Sequence, residues 1–119
     1  MLKLKAQILC GDEIAMGPGK AALLEAIARE GSISAAGRAM GMSYRRAWML
    51  VDVMNRCWAE PLVATAAGGA RGGGAQLTEA GAALLAGYRA IEARLGATMV
   101  EEAAALEASL RRHPLPPAR

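Results

Sequence analysis

Apolar and polar residues alternate at the start of the chain and then change to a helical period. The alternation over residues 2–9 predicts a short strand with one buried face. Residues 11–19, which contain three glycines and a proline, are expected to end that strand. Over residues 20–30 the apolar side chains recur every three or four positions, which predicts a first helix that stops at Gly31.

Two further helices are predicted in quick succession. Ser34 is a good N-cap for a short helix over 35–40, and Gly41 is placed to end it. Ser43 is the N-cap candidate for a longer helix over 44–58. A short helix joined through a glycine to a longer one is typical of a helix-turn-helix.

A glycine-rich segment follows the third helix. Residues 62–65 and 76–77 are expected to form two strands, and the glycines around Arg71 suit a turn, so 62–77 is interpreted as a hairpin. Glycine-rich loops also cradle nucleotide phosphates, but here neither a Gly-Lys-Ser/Thr sequence nor a strand–loop–helix order is present. We therefore interpret the hairpin as a wing with Arg71 at its tip, and a simple flexible hairpin is the alternative.

The last third of the chain predicts one long helix over 78–110, capped by Thr78. Its apolar stripe extends over about eight turns, more than a domain of this size can cover by itself. We predict that the stripe forms a homodimer seam, with packing against the first helix as the competing use. The residues concerned are Leu84, Tyr88, Ile91, Leu95, Met99, Leu106 and Leu110. Residues 111–119 include three prolines and are predicted to be a disordered tail.

The composition agrees with a mainly α protein carrying a small β-sheet. Hydrophobic residues make up 54% of the 119 positions, but 28 of them are alanine and only 14 are leucine. Alanine is the best helix former and a poor strand former, and its burial contributes little free energy. The core is therefore thin, and a domain of this size gains burial by dimerising.

The charge and the cysteines exclude several classes of protein. The net charge of +3 arises between residues 32 and 78, a segment that contains five arginines and two acidic residues. No apolar run approaches the length of a membrane span and no signal peptide is present, so we expect a cytoplasmic protein. Cys10 and Cys57 are expected to be reduced and packed in the core. With a single histidine, His113, we expect no metal site and no cofactor.

The third predicted helix has two chemically different sides. On a helical projection, Ala47, Leu50, Val51, Met54 and Trp58 share one side, and the opposite side carries Arg45, Met49, Asp52 and Arg56. An α-helix fits the major groove of DNA, where arginine can hydrogen-bond the guanine edge. Trp48 and Trp58 are interpreted as packing residues. The candidate DNA-binding residues are Ser34, Ser43, Tyr44, Arg45, Arg46, Met49, Asp52, Arg56 and Arg71.

Four stretches of the sequence resemble a known family. They are Gly-Ser-Ile-Ser-Ala-Ala at 31–36, Gly-Met-Ser-Tyr-Arg-Arg-Ala-Trp at 41–48, Val-Asp-Val-Met-Asn at 51–55, and the glycine-rich segment at 65–78. Together they resemble the N-terminal winged-helix DNA-binding domain of the molybdate-responsive ModE regulators, and more loosely that of LysR-type regulators. The resemblance covers about residues 2–95. It implies that the N-terminal strand joins the wing and that the long C-terminal helix mediates dimerisation.

Family members that sense molybdate carry a C-terminal oxyanion-binding half, which is not expected within this chain. The resemblance thus implies DNA binding and dimerisation, and either a separate protein is the sensor or the regulator responds to no small molecule. We expect a winged helix-turn-helix domain over 1–77 that acts as a homodimer on a pseudo-palindromic operator in double-stranded DNA. The alternative is a protein-interaction module that heterodimerises with another regulator. An enzyme is not expected, since the sequence supplies neither a nucleophile–base pair nor a metal cluster.

Overall fold

The computed structural model describes residues 1–66 and 73–118, and this part of the chain is mainly helical with two small hairpins. In chain order the elements are β1 (Ile8–Cys10), β2 (Glu13–Met16), α1 (Pro18–Glu30), α2 (Ile33–Ala39), α3 (Tyr44–Cys57), β3 (Val63–Thr65), β4 (Ala75–Leu77), α4 (Glu79–Thr98) and α5 (Val100–Glu107). The predicted mainly α fold with a helix-turn-helix, a wing and a long C-terminal helix is confirmed.

Local chemistry sets most of the helix ends. Gly31 ends α1 in the left-handed region at φ +81°, and its N–H donates to the Ile27 carbonyl. The Ser43 hydroxyl accepts from the Arg46 N–H at the start of α3, and Thr78 does the same for Gly81 at the start of α4. These three boundaries lie where the sequence predicts them.

The N-cap of α2 differs from the prediction. Ser32, whose backbone is extended, accepts a hydrogen bond from the Ala35 N–H at 3.0 Å, so Ser32 is the cap and not Ser34. Ser34 already lies inside the first turn. Its hydroxyl accepts from the Arg38 guanidinium at 2.9 Å instead.

The N-terminal strand is shorter than predicted and has a different partner. It covers Ile8–Cys10 instead of 2–9, and it pairs antiparallel with β2, inside the segment that was expected to be irregular. Gly11, at φ +59°, turns the chain directly between the two strands. Within the described residues β3 and β4 pair only with each other, so the implied joining of the first strand to the wing is wrong here. A strand that follows after a two-residue turn is an easier partner because closing a short loop costs less entropy.

The core lies between the first three helices, β2 and the start of α4. Its largest fully buried side chains are Tyr88, Met16, Leu23, Leu24, Ile27, Met54, Leu62 and Val51. Tyr88 is 2% exposed and its hydroxyl donates to the Ala6 carbonyl at 2.7 Å. The prediction that Tyr88 lies on the dimer face is therefore wrong. Its ring packs inside its own protomer, as in the alternative in which the stripe packs against the rest of the domain.

The two cysteines are not core residues, contrary to the prediction. Cys10 is exposed at the end of β1, and Cys57 is half-buried at the end of α3. Burial, followed by the neighbouring Cys10 thiol, raises the pKa of the Cys57 thiol. The packing of β2 on α3 brings together two thiols that the sequence places far apart.

The predicted continuous helix over 78–110 is interrupted. Met99, at φ −112° and ψ 17°, separates α4 from α5, and α5 ends at Glu107. The break follows Gly96 and the β-branched Thr98, both weaker helix formers than alanine. Residues 111–118 lie outside helices and strands, and the disordered tail stays a prediction.

An ion-pair cluster ties α4 to α1. The Arg89 guanidinium contacts Glu25 at 2.5 Å and Glu92 at 2.6 Å. The hydrogen bond from Arg89 lowers the pKa of the Glu25 carboxyl below its ordinary value of 4.5. A carboxyl with a lowered pKa in the folded state stabilises the protein above its ordinary pKa, and that stabilisation is lost as the pH falls through the lowered value.

We expect Arg89→Ala to lower the free energy of unfolding by about 0.5–1 kcal/mol at pH 7, since the pair is partly exposed. The loss should shrink as the pH falls below 4.5 and Glu25 becomes protonated. Urea unfolding of both proteins at pH 7 and pH 3 measures this difference, with Arg94→Ala, an exposed position on the same helix, as the control. An equal loss at both pH values would show that Arg89 stabilises the fold by packing alone.

Candidate nucleic-acid interface

The turn between α2 and α3 is fixed by close backbone packing. Gly41 adopts φ +69°, and the Met42 N–H donates to the Gly37 carbonyl at 2.9 Å. A Cβ atom on Gly37 would lie 3.2 Å from the Cβ of Ala47, so the two helices meet at their smallest side chains. This contact holds α3 at a defined angle to α2.

Helix α3 has the two faces that its sequence predicts. Ala47, Val51 and Met54 are buried against the core, and Leu50 and Trp58 are partly buried beside them. The opposite face is exposed and carries Arg45, Met49, Asp52 and Arg56. The structure thus presents an exposed surface along the helix that consists of three charged side chains and Met49.

The two arginines of this face have different surroundings. The Arg56 side chain donates to the Asp52 carboxylate at 2.9 Å, one helical turn away. Within residues 1–66 and 73–118, Arg45 forms no ion pair within 4.0 Å. Arg45 is therefore ready to contact an anion, whereas Arg56 must first leave Asp52 or share it.

A groove of about 310 Å³, named the basic groove for its three cationic residues, runs along α3 from Ser43 to Val53 and also contains the apolar Met49 and Leu50. Its walls include Ser43, Arg45, Arg46 and Lys20, the last from the start of α1. Glu13 also borders it. Lys20 is not among the site residues predicted from the sequence, because only the packing of α1 across α3 brings it to the site.

A second cleft, of about 550 Å³, opens on the other flank of α3, between α2 and the wing strands. It is lined by Ser32, Ile33, Ser34, Arg38, Tyr44, Trp48, Thr65, Ala66, Gly73, Gly74 and Ala75. Ser34 and Tyr44 were predicted for the interface, and the structure places both of them here. Arg38 and Thr65 also line this cleft but were not predicted from the sequence. For Arg38 the sequence does contain a signal, because residues four positions apart on a helix, such as Ser34 and Arg38, lie side by side.

Trp48, within α3, and Trp58, directly after α3, have different environments. The Trp58 indole N–H donates to the Ala15 carbonyl at 3.1 Å, so this residue packs as predicted. Trp48 does not: it is 38% exposed and meets the Tyr44 ring edge-on, with centroids 6.3 Å apart. The expectation that Trp48 is a packing residue is corrected, because its side chain projects to the wing side of the helix and not into the core.

The base of the wing is held by a side chain from α3. The Asn55 amide oxygen accepts from the backbone N–H groups of Leu62 and Val63, at 2.8 and 3.1 Å, and its nitrogen donates to the Val63 carbonyl. On the other wing strand, the Ala75 N–H donates to the Gly31 carbonyl. The predicted DNA-contacting residue Arg71 lies outside the described residues.

The residues predicted for dimerisation fall into three groups. Tyr88 is buried, Leu84, Leu95 and Met99 are half-buried, and Ile91, Leu106 and Leu110 are exposed. An apolar groove of about 420 Å³ lies between the N-terminal residues and α5, lined by Met1, Leu2, Leu4, Met99, Glu102, Ala103, Leu106, Glu107 and Leu110. The N-terminal segment is fixed there by the Glu107 carboxylate, which accepts from the Leu2 N–H at 2.7 Å.

Helices of the described chain are too short or too polar to cross a bilayer. Groups of three or more histidine, cysteine or acidic side chains suited to a metal ion are absent from the same residues.

Comparisons with known proteins agree with this geometry. Residues 20–82 match the family described as bacterial regulatory helix-turn-helix protein, lysR family. The full-length LTTR LysG of Corynebacterium glutamicum with bound effector Arg superimposes with a TM-score of 0.52 and 27% identity, over 84% of this chain and 31% of that one.

Several curated relatives are more similar in sequence. The molybdenum-pterin-binding protein MopB of Rhodobacter capsulatus is 56% identical over 66% of this chain and 29% of its own length. The molybdenum transport protein ModE of Azotobacter vinelandii is 53% identical over 59% of this chain and 26% of its own. The DNA-binding transcriptional dual regulator ModE of Escherichia coli K12 is 39% identical over 74% of this chain and 32% of its own. This chain thus spans less than a third of these relatives, and it belongs to the lysR family of bacterial regulatory helix-turn-helix proteins.

Proposed function

We propose that this chain binds double-stranded DNA as a transcriptional regulator, and that it acts as a homodimer on a pseudo-palindromic operator. The observation that supports this most strongly is the exposed arginine-bearing face of α3, set between a basic groove and a wing. A helix that buries one face and exposes guanidinium groups on the other has the shape and the donors that the major groove requires.

The proposal gives the arginines different roles. Arg45, in the first turn of α3, lies where a recognition helix comes closest to the bases, and we assign it to a base edge. Arg46, Ser43 and Tyr44 are assigned mainly to phosphates, together with Lys20 from α1, because they surround the N-terminal end of the same helix. Arg56 is assigned to the major groove of the DNA, with Asp52 beside it. The Asp52 carboxylate repels phosphates, so at this position only the Arg56 guanidinium can contact one.

The wing and the C-terminal helices complete the proposal. Arg71 is assigned to phosphate or to the minor groove beside the operator half-site. The exposed apolar residues Ile91, Leu106 and Leu110 are assigned to a seam with a second copy, which would place two recognition helices about 34 Å apart, one DNA turn. Two relatives are named for molybdenum transport, so we propose molybdenum-related target genes.

The test begins with selection of bound duplexes from a random DNA pool, with and without molybdate. For the selected operator we expect Arg45→Ala to cost about 1–3 kcal/mol of binding and to relax the preference at one base pair per half-site. Arg46→Ala should weaken operator and random DNA alike, and it should reduce the log–log salt slope by about 0.9 for each phosphate contact that is lost. Sedimentation should show two protomers on each duplex.

Arg29→Ala is the matched control, since Arg29 is exposed at the end of α1 and pairs with Glu30 away from α3. Equal losses on operator and random DNA for Arg45→Ala would reassign Arg45 to phosphate. A chain that retards no duplex, and whose binding to a partner protein shows no salt slope, would support the protein-interaction module instead.

A further inference from the structure

We propose that Tyr44 and Trp48 form an apolar contact for the 5-methyl group of a thymine, and so specify an A·T pair on the wing side of each half-site. This inference rests on the proposed DNA-binding function and adds a base preference to it: the Tyr44 hydroxyl keeps the phosphate contact assigned above, and its ring makes the new one. The contact would be made in the cleft between α3 and the wing strands.

The first observation is that a pair of large aromatic rings is left in solvent. Tyr44 is 57% exposed and Trp48 is 38% exposed, and the rings meet edge-on at an interplanar angle of 87°. In a chain with only four aromatic residues and a thin core, two exposed neighbouring rings are unusual. Exposed apolar surface of this kind marks a binding site more often than chance.

The second observation is where the pair lies. Tyr44 is the first residue of α3 and Trp48 follows one turn later, on the part of a recognition helix that approaches the bases. Both rings line the cleft whose opposite wall is formed by Thr65, Ala66 and Gly74 of the wing. A base edge directly against the two rings would therefore meet ring carbon atoms, while the Arg38 guanidinium lies elsewhere in the same cleft.

The third observation concerns the polar residues around the same cleft. Ser34 and Arg38 are hydrogen-bonded to each other at 2.9 Å beside the rings, and Thr65 faces them from the wing. These groups suit a phosphate of the strand that enters the cleft. A strand held in this way would place its bases against the aromatic pair.

The chemistry of the major groove then selects the ligand. Thymine is the one unmodified base with a methyl group on its major-groove edge, while cytosine, adenine and guanine offer polar groups or C–H at that edge. The ring carbon atoms of Tyr44 and Trp48 satisfy no hydrogen-bonding group of a base, but they cover a methyl group well, and the contact proposed here is made by these carbon atoms and not by the Tyr44 hydroxyl or the Trp48 N–H. The pair therefore favours thymine over the other bases.

The test replaces each thymine of the selected operator, one position at a time, by deoxyuridine, which lacks only the 5-methyl group. We expect one position in each half-site at which the substitution weakens binding of the natural chain about fourfold, the effect of one buried methyl group. Trp48→Ala should bind the thymine and deoxyuridine duplexes equally. Trp58→Phe, which changes the tryptophan that packs on Ala15, should keep the natural thymine preference.

The outcomes separate this inference from the function on which it rests. Binding that is insensitive to deoxyuridine at every position would overturn the thymine contact and leave DNA binding intact, as would a thymine preference that persists in Trp48→Ala. If Trp48→Ala does not fold by circular dichroism, Tyr44→Ala, an exposed position, tests the same contact with the same two duplexes. A natural chain that binds no duplex overturns both proposals.

Discussion

Replacing Gly81 by alanine should destabilise the domain by about 3 kcal/mol or more, at the upper end of the range for over-packed sites. A Cβ atom at this position would lie within 3 Å of two backbone atoms of Leu62, the carbonyl carbon at 2.9 Å and the carbonyl oxygen closer still. The same carbonyl oxygen accepts from the Thr78 N–H, and the Thr78 hydroxyl donates to the Pro61 carbonyl. The methyl group would therefore push the first turn of α4 away from the strand that begins the wing.

Gly87→Ala is the matched control for this substitution. It makes the same change in the same helix, but a Cβ atom on Gly87 would meet no atom within 4 Å among the described residues. Alanine is a better helix former than glycine by about 0.5–1 kcal/mol, so this variant should be more stable than the natural chain. Urea unfolding followed by circular dichroism measures both. Similar unfolding free energies for the two variants would show that the α4–wing contact relaxes without cost.

Features governed by neighbouring residues could be predicted from the sequence. The caps at Ser43 and Thr78 and the stop at Gly31 depend on side chains within one turn, and the structure has all three. The two faces of α3 follow from helical periodicity, which is also local. The predicted N-cap of α2, Ser34, is wrong because serine is a good cap at both positions 32 and 34. The packing of Ile33 in the core decides that Ser32 is the residue outside the helix.

Features governed by distant contacts could not be predicted. The partner of β1 depends on which strand is nearest in space, and the sequence signal of β2 is masked by the glycines around it. Cys10 and Cys57 look like small core residues in the sequence, but they lie at the ends of β1 and α3, where the core stops. Tyr88 has the spacing of the apolar stripe predicted for dimerisation. Its ring is nevertheless buried in the core of its own protomer, and its hydroxyl donates to the Ala6 carbonyl.

The candidate site shows the same division. The exposed face with Arg45 and Arg56 was predictable, because it depends on one helix alone. Trp48 was assigned to packing because tryptophan is usually buried, and only the positions of α2 and the wing show that its flank borders an open cleft. Lys20 and Arg38 reach the interface through helices α1 and α2, so their place depends on the tertiary arrangement.

Asn55→Ala should destabilise the chain by about 3 kcal/mol and should loosen the wing before the rest of the fold. The side chain makes three hydrogen bonds to the backbone of Leu62 and Val63, and both of those residues are buried. Its removal leaves two N–H groups and one carbonyl of buried residues without this partner, and each such group costs about 1–3 kcal/mol when water cannot replace the bond. Since α3 holds β3 through these bonds, the substitution separates the recognition helix from the wing.

Two measurements distinguish this clamp from a general loss of stability. Amide hydrogen exchange should accelerate most at β3 and β4, and less in α1 and the buried face of α3. Asp52→Ala, on the exposed face of the same helix, removes only a solvent-exposed ion pair and should leave wing exchange unchanged. Asn55→Asp keeps an oxygen acceptor for the two N–H groups but loses the donor to the Val63 carbonyl. Its unfolding free energy and its exchange rates in the wing should therefore lie between those of the natural chain and those of Asn55→Ala. Uniform acceleration in every element would mean that Asn55 stabilises the core as a whole, and that the wing is positioned by the Gly31–Ala75 and Leu62–Thr78 bonds instead.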